Sequence, residues 1–381
     1  MPTVLLTIGR LPKALDFARS FHAAGWRVIV AEPFARHLTG ASRSVAKRLT
    51  TPPPSASKRA YLDALMAIIR DERIDLVLPL SEETMHVAHV HGRLPESVRL
   101  FAPGPDVLLP LHDKARFPAL AREHGWPAPE TAPAGTPDAA RIAATGPFVV
   151  KPVFSCSGRG VSLHEAGEAI PDADGVPKVV QRRLPGAHVS SFTLAHQGQV
   201  QITVLYRGTV MAGTVAVAFE RVERHDISAW IEGFVTSTGH SGFISFDFID
   251  DERGRPHAIE CNPRVTSGVH FIETADLAPG ILTPFSQLIR LKTSRKMQQL
   301  YPTLTETQGS ILHPRRYLHN VRQLFSSRDV TWDVRDPMPL LSMPFTAFGI
   351  IRMAMAQGRS FGQVSTDDIS WFEGESALPP S

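Results

Sequence analysis

Residues 243–268 read FISFDFIDDERGRPHAIECNPRVTSG. Two apolar runs, Phe243 to Ile249 and His257 to Cys261, flank the polar segment DDERGRP. That is the pattern of an antiparallel hairpin with a loop longer than the tight two-residue kind. If the strands pair about the loop so that Asp247 sits opposite Glu260, Asn262 lies two residues further along the second strand. Strand side chains alternate between faces, so these three oxygen-bearing groups share one face. Two carboxylates and an amide oxygen on a rigid sheet suit a hard divalent cation such as Mg2+, which takes oxygen ligands and keeps water or phosphate for the rest of its shell. Arg264, just past the strand, is within reach of the same phosphates. An ordinary amphipathic hairpin with its acids in water shows the same alternation. The run ECNPR distinguishes the two readings, because it adds Asn and Arg where metal and phosphate both need partners.

The chain around this hairpin has 381 residues, 43% hydrophobic and 20% charged, enough for two or three domains with their own cores. No apolar run approaches the roughly 20 residues of a membrane span. MPTVLLTIGR enters a strand-like run directly and lacks a basic leader, so a cytoplasmic protein is expected. Cys156 and Cys261 make no disulfide framework and no CxxC metal or redox pair. A net charge of +3 with interspersed signs leaves no basic stripe for nucleic acid.

TVLLTIGR, LPKALDFARSFHAAGW and RVIVAEP read as strand, amphipathic helix, strand, the opening of a parallel α/β sheet. The turn after the first strand has only Gly9 and lacks GxGxxG, which argues against a dinucleotide. Helix Lys58 to Asp71 and strand Asp75 to Leu80 follow, then SEETMHVAHVHG, where Ser81, Glu82 and Glu83 resemble a helix start. His86, His89 and His91 invite a metal reading, but Val87, Ala88 and Val90 between them favour a surface or interface helix. Lys114 lies near the start of a helix that ends at Gly125 and Pro127. In PFVVKPVFSCSGRGV, a strand from Phe148 to Pro152 runs into a loop with Ser155, Ser157, Gly158 and Gly160. Small residues there let main-chain amides approach a phosphate chain, with Lys151 projecting into the same space. It is not a Walker A loop, because Lys precedes the glycines. Residues 178–222 read as one strand, a connector at Leu184 to Gly186, and a three-stranded meander; a helix from Arg224 to Gly239 leads into the hairpin. A closing helix is expected over ADLAPGILTPFSQLIRLKTSR, and from about residue 295 a tail rich in Pro and aromatics, expected to cap the N-terminal domain.

The ordered set Lys114, VVKP with its glycine loop, VVQRRLPG, FDF and ECNPR resembles the ATP-grasp superfamily over about residues 1 to 290. The wording LHDK, KPVFSCSG, ISFDFI and IECNPRVTSG is similar to its carboxylate-amine ligase and carbamoyl-phosphate-synthase-like branch. The resemblance implies a mixed α/β and α+β fold: an N-terminal α/β domain over 1–110, a small lobe with the glycine loop over 111–180, a large lobe with the metal hairpin over 181–292, and a C-terminal extension over 293–381. It implies that ATP lies between the lobes, with Lys114 and Lys151 on its phosphates and the loop bearing Ser155, Ser157, Gly158 and Gly160 closing over them. Gln181 then meets the adenine amino group, and the backbone at Arg182 and Leu184 reads the base edge. Asp247, Glu260 and Asn262 hold Mg2+ (or Mn2+), and Arg264 with Lys151 serves the transferred phosphoryl group. Two positions depart from the family pattern. His188 stands where Glu usually meets the ribose, and Ser245 stands where the D-alanine ligase branch has Arg.

The activity implied is ADP-forming ligation of a small carboxylate, activated as an acyl phosphate, to an amine. A phosphotransferase acting on an enol or carboxylate, and a nucleotide-binding protein without turnover, remain alternatives. Arg207, Thr266, Ser267 and His270 are candidates for the acceptor site. Expected partners are small molecules and, as in many relatives, a second subunit; nucleic acid and membrane are not expected.

Overall fold

The computed structural model describes residues 1–172, 174–358 and 361–372. Its first sheet is five-stranded and wholly parallel, in the order Lys47–Thr50, Arg27–Glu32, Thr3–Leu6, Leu76–Leu78, Arg99–Leu100. This is the α/β opening that the strand–helix–strand pattern predicts. Helix Lys58–Asp71 has the predicted limits, with Ser57 Oγ accepting from the Ala60 amide at its N-terminus. A four-stranded antiparallel sheet follows: Thr131–Pro133, Lys178–Arg182, Phe148–Pro152, Ser162–His164. The third sheet has seven strands, with the hairpin Gly242–Asp250 and Pro256–Asn262 at one edge and the meander 188–222 beside it.

Strand Gly242–Asp250 shows how packing aims the site. Ile244, Phe246 and Phe248 point to one face and are buried against Trp230, Ile231 and Phe234 of helix His225–Thr238. The alternate residues face the other way. Phe243 packs on Phe17 at 5.4 Å between ring centroids, joining this sheet to the N-terminal domain in one continuous core. Ser245 and Asp247 lie on that same side of the strand. Burying a Phe side chain is worth about 1.5–3 kcal/mol, so flipping this strand would cost several such terms.

Three expectations are corrected. The closing helix ends at Leu282, because Thr283 precedes Pro284 and is disfavoured from helical backbone; the chain then returns through a bridge of Ile272 to Leu291. The tail is more than a cap. Lys296–Gln298 and Arg328–Asp329 extend the seven-stranded sheet, as strands too short for alternation to reveal. Its last described residues do pack on the N-terminal domain, where Asp368 accepts from Arg10 at 2.6 Å and Ile369 enters the core. Third, the histidine segment is not a surface helix. Thr84–Val87 is buried, with His86 and His89 against Trp371 at 5.0 and 5.3 Å, and among the described residues no group of three or more His, Cys, Asp or Glu is set to hold a metal.

Burial holds the imidazoles of His86 and His240 neutral, drawn down to about 4. In the unfolded chain each takes a proton near pH 6.5, so the stability they contribute is complete above that value and is lost as pH falls through about 4. Each accounts for on the order of 2 kcal/mol of destabilisation at pH 5. Urea midpoints measured at pH 7.5 and 5 are expected to fall accordingly, and His240→Gln to remove part of the difference. An acid dependence unchanged by that substitution would refute the assignment. Both cysteines are buried and free, and no helix among the described residues is long and apolar enough to cross a membrane.

Candidate active site

Asp247 does pair with Glu260, but only because the hairpin is bulged. From the loop inward, Asp250 pairs with Pro256, Ile249 with His257 and Phe248 with Ala258, a register that would set Asp247 against Ile259. The shift at this point leaves Ile259 as the extra residue and brings Glu260 opposite Asp247. Without it Glu260 would face away. The bulge also frees the Ile259 carbonyl, which accepts from Lys151 Nζ at 3.0 Å and from Gln181 Nε2 at 3.3 Å.

Asn262 Nδ2 donates to Asp247 Oδ2 at 3.0 Å and to Glu260 Oε1 at 3.1 Å, so the three groups meet at one point. The amide oxygen accepts from Arg264 at 3.0 Å. Two of the three expected ligands therefore face that point through oxygen, and the third does so only with its amide turned over. Ser190 Oγ donates to Asp247 Oδ1 at 2.6 Å, and His188 Nε2 is 3.4 Å from the same oxygen. His188 thus stands at the carboxylate pair; burial pushes its imidazole down, and the bond to Asp247 together with the charges of Asp247 and Glu260 outweighs this and raises it.

The lysines converge on the same point. Lys114 Nζ lies 3.6 Å from Glu260 Oε2 and donates to the Ser155 carbonyl at 2.6 Å. Lys151 is buried and donates to Gln181 Oε1 at 3.0 Å. Burial draws the Lys151 ammonium down to about 8, while Glu260 opposes the fall. Burial likewise pushes Glu260 up, but Lys114, Lys151 and Asn262 overcome it and hold the carboxyl at about 2. The charges were brought together where each offsets the desolvation of the other. The Gln181 amide is fully engaged, since Nε2 also donates to Thr131 Oγ1 at 2.9 Å. Arg182 gives its amide to the Glu130 carbonyl at 2.8 Å, and Leu184, half-buried, opens the connector that follows.

The glycine loop is held from two sides. Ser157, Gly158 and Gly160 take positive φ of 54°, 64° and 70°, and a Cβ on Gly158 would come within 2.7 Å of Thr214. Thr214, at the tip of the hairpin between strands Gln199–Ala212 and Val215–Val222, donates to the Ser157 carbonyl. From the C-terminal segment, Ser370 Oγ lies 3.0 Å from Cys156 Sγ, and Asp367 pairs with Arg159.

Sequence reasoning missed the groups that the N-terminal domain supplies. Arg264 is in close contact with Glu82, whose other oxygen lies 3.7 Å from His112 Nε2. Glu82 is buried; burial pushes it up, and Arg264 together with His112, Lys114 and Lys13 outweighs this and lowers it. Lys13, drawn down to about 7 by burial and by Arg264, donates to the Val265 carbonyl at 2.7 Å. In the sequence, Glu82 belongs to a pattern that resembles a helix start. Its position at the carboxyl end of strand Leu76–Leu78, beside the first strand, is where open parallel sheets place ligands, so strand order would have pointed to it. The acceptor candidates scatter. His270 is buried on Asp16 at 2.6 Å, Arg207 pairs with Glu220 at 2.9 Å on the surface, Thr266 donates to the Ser191 carbonyl, and Ser267 opens a short helical turn.

Residues 111–268, the span that holds the lysines, the loop and the bulged hairpin, match the family model of the ATP-grasp domain. The chain contains an ATP-grasp domain. Solved structures agree over a longer span. The L-amino acid ligase of Bacillus licheniformis superposes with a TM-score of 0.60 at 17% identity, covering 78% of each chain. The biotin carboxylase domain of the Hydrogenobacter thermophilus 2-oxoglutarate carboxylase, solved with MgADP, ADP and bicarbonate, gives 0.60 at 17% over 76% of this chain and 72% of that one. The N5-carboxyaminoimidazole synthetase of Staphylococcus aureus gives 0.58 at 14% over 76% and 80%. No curated protein matches the sequence. The fold shared with these structures therefore extends beyond the matched domain, within a mixed α/β architecture.

Proposed function

We propose that the protein is an ATP-dependent, ADP-forming ligase that activates a small-molecule carboxylate as an acyl phosphate and joins it to an amine. The observation that carries this reading is the meeting of Asp247, Glu260 and Asn262 with Lys114, Lys151 and Arg264 across one cleft. ATP carries about four negative charges, and an anionic carboxylate approaches its γ-phosphate only where cations offset them. Lys114 and Lys151 supply two such charges from buried positions, and Arg264 a third. An all-oxygen pair of carboxylates fits Mg2+, with Asp247 and Glu260 as its holders and Asn262 joining with its amide turned. When bound, Mg2+ supplies neutralisation of phosphate charge.

Within this assignment each protein group has a task. Lys151, fixed by Gln181 and the Ile259 carbonyl, orients phosphate. Arg264, seated on Glu82, is held towards the reacting group. The glycine loop excludes water. The carboxylate attacks the γ-phosphorus and ADP leaves; the amine then adds to the acyl carbon and phosphate departs, with the amine's proton lost to solvent. His188 next to Asp247 places an imidazole where the family pattern has a carboxylate, which favours a ribose contact made by other groups.

ADP release with Mg2+ and ATP, screened against small carboxylates and amines singly and in pairs, tests this. Release that needs a specific pair supports ligation; release with one acid or enol alone, leaving a stable phosphate product, would replace it with phosphotransfer. Lys151→Ala is expected to weaken ATP binding about tenfold or more and acceptor binding much less, as read by calorimetry. Equal losses would place Lys151 on the acceptor instead.

A further inference from the structure

The last described stretch, residues 364–372, lies between the glycine loop and the N-terminal domain and bonds to both. On one side it grips the loop. Cys156 Sγ lies 3.0 Å from Ser370 Oγ and 3.4 Å from Thr366 Oγ1, Arg159 pairs with Asp367, and the Arg159 guanidinium sits 5.0 Å from the centre of the Phe372 ring. On the other side it is fixed to the first domain. Arg10, itself held by Glu32 at 2.8 Å, donates to the Asp368 carboxylate at 2.6 and 3.0 Å, and the Ser55 amide donates to the Asp368 carbonyl at 3.1 Å. Trp371 packs on His86 and His89, with Lys58 Nζ 4.0 Å from the centre of its ring. Arg10 and Trp371 are buried, so this end is a firm anchor.

A loop of small residues has little side-chain surface to bury, and its glycines lose more backbone freedom on ordering than other residues do. The strap supplies contacts that the loop lacks. Where the loop is held follows from its first residues. The Ser155 carbonyl accepts from Lys114 Nζ at 2.6 Å, and the same ammonium lies 3.6 Å from Glu260 Oε2. The strapped loop is therefore folded onto the cluster of lysines and carboxylates. We infer that residues 364–372 are a positioning strap for the phosphate end of the nucleotide: Asp367 acting through Arg159, and Ser370 acting through Cys156, hold the loop in place before the β- and γ-phosphates arrive. Order established in advance is not charged against binding, which is how a residue that touches no ligand raises affinity for it. The inference rests on the ATP reading of the cleft and is independent of the acceptor. It also ties the phosphate loop to the N-terminal domain through Arg10 and Asp368.

Calorimetric titration of the full-length protein with Mg2+ and either β,γ-imido ATP or AMP, together with limited trypsin digestion, tests this. Asp367 is partly exposed, so Asp367→Ala is expected to leave the melting temperature within about 2 °C of the unaltered protein. It is expected to bind the imido analogue about threefold more weakly. Adding Phe372→Ala removes the second strap partner of Arg159 and brings the loss to about tenfold. AMP, which carries neither outer phosphate, is expected to bind all three proteins alike. Trypsin is expected to cut after Arg159 about fivefold faster in the double variant, and Asp367→Glu to restore both protection and affinity. Analogue affinity unchanged in the double variant, or equal losses for AMP and the analogue, would overturn the inference. Tighter analogue binding by the variants would overturn it too, by showing that the strap holds the loop off the phosphates. Failure of the ATP reading looks different: the unaltered protein then binds neither nucleotide, and both readings fall.

Discussion

Glu260→Gln lowers ADP formation by on the order of 10²–10³-fold while the protein stays folded, and the residual activity requires a higher Mg2+ concentration. The substitution keeps the shape and the hydrogen bond from Asn262 but removes the charge that Lys114 faces at 3.6 Å. The Glu260 carboxyl is held at about 2, so it is ionised across the whole working range and its charge is available to a cation. Some stability is lost as well, because a carboxylate favoured in the fold is gone. Circular dichroism and steady-state ADP assays separate the two effects. Turnover within twofold of the unaltered protein would remove Glu260 from the site.

Arg264→Met is expected to destabilise the protein by about 3–5 kcal/mol, the usual consequence of removing one partner of a buried ion pair. Glu82 is then left in the interior with its nearest cation missing. Because burial pushes that carboxyl up, the gap between variant and unaltered protein narrows as pH falls and Glu82 takes a proton. In the double variant with Glu82→Gln most of the loss returns, since no uncompensated charge remains, whereas activity does not. Urea denaturation of the four proteins completes the cycle. Additive losses would show that Glu82 does not seat Arg264.

The hairpin was legible because apolar runs flanking a polar loop admit few readings, and alternation along the strands sets Asp247, Glu260 and Asn262 on one face. The register was a different matter. Counting inward from the loop sets Asp247 against Ile259, and only the bulge restores Glu260. A bulge leaves no mark in the residue types of AIEC, since it follows from how the strand bends against its neighbours. The loop SCSGRG was legible from its small residues, but its tethering by Thr214 and Ser370 joins residues 57 and 214 positions apart.

By itself, then, the sequence determined the opening parallel sheet, the meander, the hairpin and the residue types of an anion and cation site. These depend on local periodicity and on chemistry carried by neighbouring residues. Tertiary structure alone decided that Glu82 and Lys13 stand behind Arg264, that the histidine segment is core, and that the tail completes a sheet and grips the glycine loop. Each of these depends on which distant surfaces meet, and burial assigns a charged or aromatic side chain its role only after they have met.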